Sequence, residues 1–157
     1  MRVDNRLVHG QILEAWVPFL KADCIIVVDD DVAADFFRES VIRMSVPREV
    51  EVLISSVTEF SDRFAFHRGH GRKTIVLLST IADALSIHRF GFHYSKLNIG
   101  NVYNDHCRIC CTPSVLLSDD DLNAISALHE EGVLIELRRV PREKPNDFYE
   151  LVQHVKS

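Results

Sequence analysis

The feature that most constrains the fold is an uninterrupted apolar run, Cys24-Ile-Ile-Val-Val28, followed at once by three aspartates at residues 29–31. A strand of continuous β-branched residues, with no polar alternation, is typical of parallel sheets that are buried on both faces. Aspartate is a residue that caps helix N-termini. Residues 74–78 repeat the pattern, with Ser79 or Thr80 in the capping position. The sequence therefore predicts an α/β domain of three layers, with a central, mainly parallel sheet and helices on both faces.

The rest of the chain alternates between strand and helix patterns. Strands are predicted at residues 1–5, 24–28, 50–54, 74–78, 97–99, 108–112 and 133–140. Helices are predicted at residues 12–17, 30–46, 57–66, 80–89 and 119–131, with a closing helix from residue 148. Pro18 should end or kink the first of these helices. In the second helix, several apolar residues recur at helical spacing and are predicted to face the core: Ala33, Phe36, Phe37, Val41 and Met44.

Composition excludes several classes of function. A chain of 157 residues with 46% hydrophobic and 26% charged residues can bury a core, and we predict one domain over residues 1–157. The net charge of −5 gives no electrostatic basis for binding nucleic acid. The apolar runs are too short to cross a bilayer, and the N-terminus has no signal-peptide pattern. We therefore expect a cytosolic domain that reaches the membrane only through partners.

The richest candidate site is the turn between the first strand and the first helix, Arg2-Val-Asp-Asn-Arg-Leu-Val-His9-Gly10-Gln11. His9 lies just past the carboxyl end of that strand, where open α/β sheets bind ligands. The N–H groups and the positive dipole end of the following helix favour an anion there. Arg6 adds a fixed charge suited to phosphate, and a neutral imidazole nitrogen is a good nucleophile. The turn predicts phosphoryl transfer to His9, against the ordinary alternative of a hydrogen-bonded surface histidine.

This run, with Trp16 after it, closely resembles the N-terminal signature of the IIB component of the mannose/sorbose family of bacterial sugar phosphotransferase systems. The resemblance spans nearly the whole chain. Residues 25–35 are similar to the family's second strand and the helix after it, and residues 97–101 fall where the family has an Asn-x-Gly-Gly turn. Residues 131–140 resemble its last strand. The resemblance implies the family's fold, with one antiparallel edge strand, which we assign to residues 133–140.

The resemblance also implies a function. In that family a histidine accepts phosphate from a phosphohistidine on the IIA component and passes it to a sugar entering through the membrane IIC and IID components. His9 is then the phosphoacceptor, and Arg6 is its electrostatic partner, on an exposed loop without a buried partner. Supporting roles fall to Asp4, Gly10, Gln11, Asn98 and Gly100. The N–H groups of the turn at Gly100 can help to hold a phosphate, and neither a cofactor nor a metal is implied.

One segment departs from the family. Its members usually have a Gly-Lys pair after the turn, whereas this chain has Tyr103-Asn-Asp-His-Cys107, in which Asp105 and His106 replace a positive charge by a negative one. We expect the departure to weaken sugar transfer. Two alternatives therefore stay open: a regulatory phosphoacceptor that signals its phosphorylation state, and a domain that binds a phosphorylated metabolite without covalent chemistry. The sugar, the donor and a homo-oligomeric state are open as well.

Four cysteines raise the question of a metal site. Cys107, Cys110 and Cys111 cluster beside His106, while Cys24 lies within an apolar strand. A zinc site is usually built from two separated pairs of ligands, and the sequence has only one crowded cluster. Reduced thiols in a cytosolic domain are the better interpretation.

Overall fold

Strands and helices alternate along the chain, as the apolar runs predict. The structure is a computed structural model that describes residues 1–64 and 71–155. Its strands are β1 (Arg2–Asp4), β2 (Cys24–Val28), β3 (Glu51–Ser55), β4 (Thr74–Leu78), β5 (Lys96–Asn101), β6 (Ile109–Thr112), β7 (Val115–Leu117), β8 (Leu134–Leu137) and β9 (Asn146–Asp147). Its helices are α1 (Val17–Leu20), α2 (Asp30–Ala33), α3 (Phe36–Ser45), α4 (Val57–Phe64), α5 (Ile81–Arg89), α6 (Asp119–Glu130) and α7 (Phe148–Val155).

One large sheet organises the molecule. Within the described ranges it has seven strands in the spatial order β3-β2-β4-β1-β5-β8-β9. Neighbouring strands from β3 to β8 run parallel, and β9 pairs antiparallel with β8. A separate hairpin of β6 and β7 lies beside the end of β5, where Val102 pairs with Val115. Because β1 lies between β4 and β5, the residues that follow it emerge at the middle of the sheet's carboxyl edge.

The predicted α/β class is confirmed, but the antiparallel edge strand is not at residues 133–140, and that assignment is wrong. The strand predicted there is β8, which runs parallel to β5 inside the sheet. The antiparallel edge is β9, which has only two residues. Pro141 and Pro145 break the chain before it and predict a loop, and two residues carry no periodic pattern. The sequence therefore has no signal for this strand.

Apolar cores lie on both faces of the sheet, which is why helices cover both faces. Ile25 and Val27 of β2 point into one core, and the alternate residues Cys24, Ile26 and Val28 point into the other. The first core is completed by Leu7, Ile12, Trp16, Val32 and Val46. The second is completed by side chains from α4 to α7, among them Phe60, Ile81, Ile125 and Phe148. None of the helices in residues 1–64 and 71–155 is long and apolar enough to cross a membrane.

Pro18 does not end the first helix. The chain is helical from the residue after His9 to Leu20, and the irregularity lies in a wide π-helical turn at Ile12–Trp16. In that turn the Val17 N–H donates to the Ile12 carbonyl, five residues back. Proline has no N–H and cannot donate the regular α-helical hydrogen bond. The wider turn before Pro18 lets the chain stay helical without that bond.

The segment predicted as one helix at residues 30–46 is two helices. The Asp29 side chain caps α2, and Asp35 caps α3 anew. The restart changes the face that α3 turns toward the sheet, so that Ile42 and Val46 pack against the first core. Four residues that were predicted to face the core are exposed instead: Phe36 (84%), Phe37 (75%), Val41 (50%) and Met44 (86%). That prediction is wrong because the spacing of apolar residues does not show that a second helix begins after Asp35.

The remaining predicted helices agree with α4, α5, α6 and α7 to within a few residues. Residues 65–66, the end of the helix predicted at 57–66, lie outside the described residues. α6 begins with a capping box, in which Ser118 and Asp121 bond to each other's backbone N–H groups. Reciprocal bonds of this kind satisfy two of the N–H groups that a helix leaves free at its start.

Candidate active site

The residues after β1 form a tight turn that brings His9 to the carboxyl edge of the sheet. The Leu7 N–H donates to the Asp4 carbonyl at 2.8 Å, and Leu7 has a left-handed backbone φ of 57°. A non-glycine residue is strained in that conformation, and burial of the Leu7 side chain in the first core offsets the strain. The His9 carbonyl accepts the Ile12 and Leu13 N–H groups at 3.0 and 3.1 Å. The helix therefore begins directly at His9.

The buried carboxylate of Asp4 joins the predicted catalytic residues. The side chain of Asp4 is fully buried. Its Oδ1 accepts the Arg6 backbone N–H at 3.2 Å and the Arg6 Nε at 3.0 Å. Its Oδ2 accepts Arg6 Nη2, Arg2 Nη2 and His9 Nε2, each at 3.0 Å. Charge-assisted hydrogen bonds of this number compensate the carboxylate for the water it has lost.

The pKa of Asp4 reflects these contacts. Burial by itself would raise the pKa of the carboxyl group. Hydrogen bonds from His9 and Arg6, together with the charges of His9 and Arg2, outweigh burial and hold the pKa of Asp4 well below its ordinary value of 3.8. The group is therefore an ionised acceptor at neutral pH.

The Asp4 carboxylate also fixes the tautomer of His9. An ionised carboxylate can only accept a hydrogen bond, so the His9 Nε2 carries the proton. The other ring nitrogen, Nδ1, accepts the Gln11 backbone N–H at 3.3 Å and has its lone pair toward the start of the helix. The His9 side chain is 17% exposed. The nucleophilic nitrogen thus faces the end of the helix that favours an anion.

Arg6 connects the buried carboxylate to the surface. Its guanidinium binds both oxygens of Asp4, and its Nη2 also donates to the Gln11 side-chain oxygen at 3.1 Å. The side chain is 40% exposed, so part of it is open to a ligand. The expectation that Arg6 has no buried partner is wrong, because its partner is the fully buried Asp4. Sequence spacing alone does not reveal that a loop arginine folds back onto the strand before it.

Arg2 is the site residue that the sequence interpretation missed. It is 3% exposed, and its guanidinium lies 4.8 Å from the centre of the Trp16 ring. The guanidinium donates to the Asp4 carboxylate, to the Asn98 side-chain oxygen and to the carbonyls of Arg138 (2.9 Å) and Arg139 (3.0 Å). A signal was available, because Arg2 and Asp4 flank Val3 and so share one face of a central strand. A charged residue is rare in such a position unless it is paired.

Asn98 and Gly100 contact Arg2. Asn98 is 8% exposed, and its Nδ2 donates to the Glu136 carboxylate at 3.1 Å, which fixes the side-chain oxygen that Arg2 uses. A Cβ atom at Gly100 would overlap the Arg2 guanidinium. Both residues therefore connect to His9 through Arg2 and the buried carboxylate, while the phosphate-holding role of the N–H groups of the Gly100 turn stays a prediction.

The surroundings of Gly10 are open, in contrast to the close packing around Gly100. Gly10 is exposed, and a Cβ atom there would meet nothing within 4 Å. Since Gly10 follows His9 directly, the site is open on this side to a phosphoryl group or to the surface of another protein.

The loop that departs from the family begins beside the site. The Asn101 Nδ2, at the end of β5, donates to the Asn5 side-chain oxygen at 2.5 Å, which ties β5 to the turn that carries His9. Asp105 and His106 follow in the loop and are both exposed. Their side chains are therefore available to a molecule that docks on this edge of the sheet.

Two of the cysteines, Cys24 and Cys111, are poor candidates for a nucleophile. Within the described residues, no group of three or more His, Cys, Asp or Glu side chains is arranged to hold a metal ion. Burial raises the pKa of the Cys24 thiol, and burial with the nearby Cys110 and Cys107 raises that of Cys111 to about 11. Thiols of raised pKa stay protonated at neutral pH and react slowly.

The fold and the site together define a doubly wound α/β domain with a histidine-centred site at the carboxyl edge of its central strand. Comparison with known proteins agrees with this fold. Residues 1–157 match the model of the family described as PTS system sorbose subfamily IIB component. The chain is 32% identical over 154 residues to the PTS system fructose-specific EIIB component of Bacillus subtilis (strain 168), covering 98% of this chain and 94% of that protein.

Two further proteins extend the comparison. The chain is 28% identical to the PTS system sorbose-specific EIIB component of Lacticaseibacillus casei, covering 98% of this chain and 94% of that protein. The crystal structure of the IIBSor domain of the sorbose permease from Klebsiella pneumoniae superposes with a TM-score of 0.86 at 26% identity, over 98% of this chain and 94% of that one. The chain belongs to the sorbose subfamily of phosphotransferase-system IIB components, which serve phosphoryl transfer in sugar uptake.

Gly100→Ala should destabilise the protein, because the new methyl group displaces the Arg2 guanidinium from its acceptors. Overpacking and the loss of charged hydrogen bonds each cost about 1–3 kcal/mol, so the free energy of unfolding in urea should fall by about 2 kcal/mol or more. Gly10→Ala is the matched control, since the same methyl group meets nothing there. Its effect should stay within about 0.5 kcal/mol. Equal effects of the two substitutions would show that Arg2 does not depend on Gly100.

Asp4→Asn tests the charge at the centre of the site. Because the pKa of Asp4 is below 3.8 in the folded protein, its ionised form stabilises the fold above that pH, and this contribution is lost as the pH falls through the folded-state pKa. At neutral pH the variant should be less stable by about 3 kcal/mol, since it leaves buried Arg2 partly uncompensated. The difference should shrink below about pH 4. Chemical denaturation of both proteins across pH measures it, and a difference independent of pH would contradict the assigned charge.

Proposed function

We propose that this protein accepts a phosphoryl group on Nδ1 of His9 from a phosphohistidine of a IIA-type donor and passes it to a sugar held by membrane IIC and IID components. One observation carries the proposal: the His9 Nε2 is 3.0 Å from the buried Asp4 carboxylate, which leaves Nδ1 facing the start of the helix. A nucleophile, the group that orients it and a site for an anion therefore meet at one point.

The first transfer follows from this arrangement. The Nδ1 lone pair attacks the phosphorus in line with the bond to the donor's ring nitrogen, and that nitrogen takes back its electron pair as the bond breaks. Positive charge develops on the His9 ring, and the Asp4 carboxylate beside Nε2 stabilises it. Two imidazoles exchange a phosphoryl group without net proton transfer, so positioning and fixed charge are sufficient.

Arg6 and the start of the helix stabilise the oxygens of the group in transit. The exposed part of the Arg6 guanidinium offers charge-assisted hydrogen bonds to them. The Gln11 N–H is 3.3 Å from Nδ1, longer than an ordinary N–H···O bond, and turns to a phosphate oxygen once Nδ1 is bonded to phosphorus. The Gly10 N–H and the helix dipole also stabilise the negative charge of the phosphate oxygens.

The second transfer returns His9 to its starting state. A sugar hydroxyl oxygen attacks the phosphorus, the bond to Nδ1 breaks, and Nδ1 regains its lone pair. The hydroxyl proton passes to water. The partial exposure of His9 and the open space at Gly10 give a membrane partner access to the group. IIB components work with IIA and with membrane IIC and IID partners. We therefore propose partners of these types, with the protein acting at the cytosolic side of the membrane through them.

A regulatory role has one observation in its favour, the loop at residues 103–107. It carries the exposed Asp105 where the resemblance to the family implies a Gly-Lys pair, and it begins beside the turn that holds His9. A negative charge near phosphorylated His9 slows the docking of a negatively charged partner surface. A protein that takes up phosphate but does not pass it to any sugar would therefore favour the signalling role over transport.

Incubation with a phosphorylated IIA-type donor should add one phosphate to the wild type and none to His9→Ala, as read by intact mass. The bond should be labile to acid and sensitive to hydroxylamine, and ¹⁵N NMR of the ring should locate it on Nδ1. A variant with Cys107, Cys110 and Cys111 all changed to Ser should take up phosphate like the wild type. Uptake by His9→Ala, or its loss from the cysteine variant, would overturn the proposal.

Arg6→Ala should slow phosphoryl transfer roughly a hundredfold, because one charge-assisted contact to a developing phosphoryl charge is worth on the order of 2–4 kcal/mol. The substitution should also lower the unfolding free energy by about 1 kcal/mol, since buried Asp4 keeps its bonds to Arg2 and His9. Rapid-quench measurement of transfer and urea denaturation report the two effects separately.

Arg89→Ala is the matched control for this experiment. Arg89 is a comparably exposed arginine paired with Glu131 at 3.0 Å, in α5 and away from the His9 turn. Its removal makes the same change in net charge and should leave the transfer rate unaltered. If the Arg6 and Arg89 variants transfer phosphate equally fast, Arg6 has no role in the reaction.

A further inference from the structure

α3 carries an apolar surface that the rest of the described chain does not cover. Five positions define this outer face of α3: Phe36, Phe37, Ser40, Val41 and Met44. At 100° per residue they fall within an arc of about 140°. The arc contains no charged residue, although 26% of the chain is charged. The Ser40 hydroxyl donates to the Phe36 carbonyl at 2.8 Å, so even the polar member of the face has its hydrogen bond satisfied within the helix.

Exposure of this kind is unusual for a monomer. The four large side chains of the outer face are between 50% and 86% exposed. Soluble monomers rarely leave contiguous apolar patches uncovered, and a patch with a polar border marks an interaction surface. The opposite side of the helix turns Ile42 and Val46 to the core, so the exposed residues are not needed to hold α3 on the sheet.

We propose that the outer face of α3 binds the same face of a second copy, as a symmetric dimer with antiparallel α3 helices and its two-fold axis at Ser40. The face is self-complementary about that residue. Phe36 lies one turn before it and Met44 one turn after it, so an antiparallel pair sets Phe36 of each copy against Met44 of the other. The small Ser40 side chain at the centre lets the two helices approach to about 8–10 Å.

The area available is sufficient for a dimer. An aromatic side chain buries roughly 150–250 Å², and at that scale the exposed parts of the four apolar side chains supply about 500 Å² per copy. Two copies then bury about 1,000 Å², the lower limit for a specific interface, before any neighbouring residue is counted.

An ion pair on one border of the face is compatible with a second copy. Glu39 and Arg43 form an ion pair at 2.7 Å along one border of the face. A two-fold axis at Ser40 keeps this border on the same side of both copies and brings Arg43 of one copy toward Glu39 of the other. A border that carries both signs of charge can meet its own symmetry copy, as an isologous interface requires.

Sedimentation equilibrium over a concentration series tests the proposal. The wild type should associate to a dimer, and Phe37→Asp should raise the dimer dissociation constant at least about 30-fold, the effect of losing a central aromatic contact. The substitution should not unfold α3, because Phe37 is 75% exposed and an aspartate in the first turn of a helix is favourable. Phe90→Asp, at a 59% exposed phenylalanine just after α5, is the matched control and should dimerise like the wild type.

Crosslinking tests the register of the dimer. Ser40→Cys at the two-fold axis should form a disulfide-linked dimer on mild oxidation, whereas Ser45→Cys, on the same helix but outside the outer face, should give no more than the wild type. Phe37→Asp should still take up phosphate on His9, so the outcome does not depend on the proposed phosphoryl transfer. A wild type that stays monomeric throughout the series, association only with a different protein, or equal effects of Phe37→Asp and Phe90→Asp would each overturn the proposal.

Discussion

The buried carboxylate of Asp4 is the interaction on which the site depends. A charge that has lost its water must be compensated within the protein, and here the compensation comes from Arg2, Arg6 and His9. Each of these contacts orients the group that makes it. The imidazole is turned so that Nε2 meets the carboxylate, and Nδ1 is left for chemistry as a direct result. The geometry of the proposed nucleophile therefore follows from satisfying one buried charge.

β1 can hold that charge because its two faces differ. Val3 points into the larger apolar core, whereas Arg2 and Asp4 point to the other face, where Arg2 bonds to Asp4 and to Asn98 of the neighbouring β5. β2, with apolar residues on both faces, has no such polar side. The apolar core is therefore continuous on one face of β1, and the other face holds the charged residues that position His9.

Much of this could be predicted from the sequence, for reasons that differ between elements. Continuous apolar runs identify β2 and β4, and the residues that cap helices identify the helix starts after them. The His9 turn is predicted because its residues are adjacent in the chain. The role of Arg2 is not, because its acceptors at Arg138 and Arg139 lie 136 and 137 residues away. β9 has only two residues, too few for a periodic pattern. The orientation of α3 depends on a second helix cap at Asp35, which the spacing of apolar residues does not reveal.

The bonds from Arg2 to the carbonyls of Arg138 and Arg139 have a consequence for a newly made chain. The motif that carries His9 is synthesised before the backbone carbonyls that fix Arg2, which follow Arg2 by 136 and 137 residues. Until β8 has docked beside β5, Arg2 lacks those anchors, and one of the three side chains that bind Asp4 is not held in place. A nascent or truncated chain can therefore expose the motif without assembling its geometry. The geometry of the site is therefore complete only when β8 has joined the sheet.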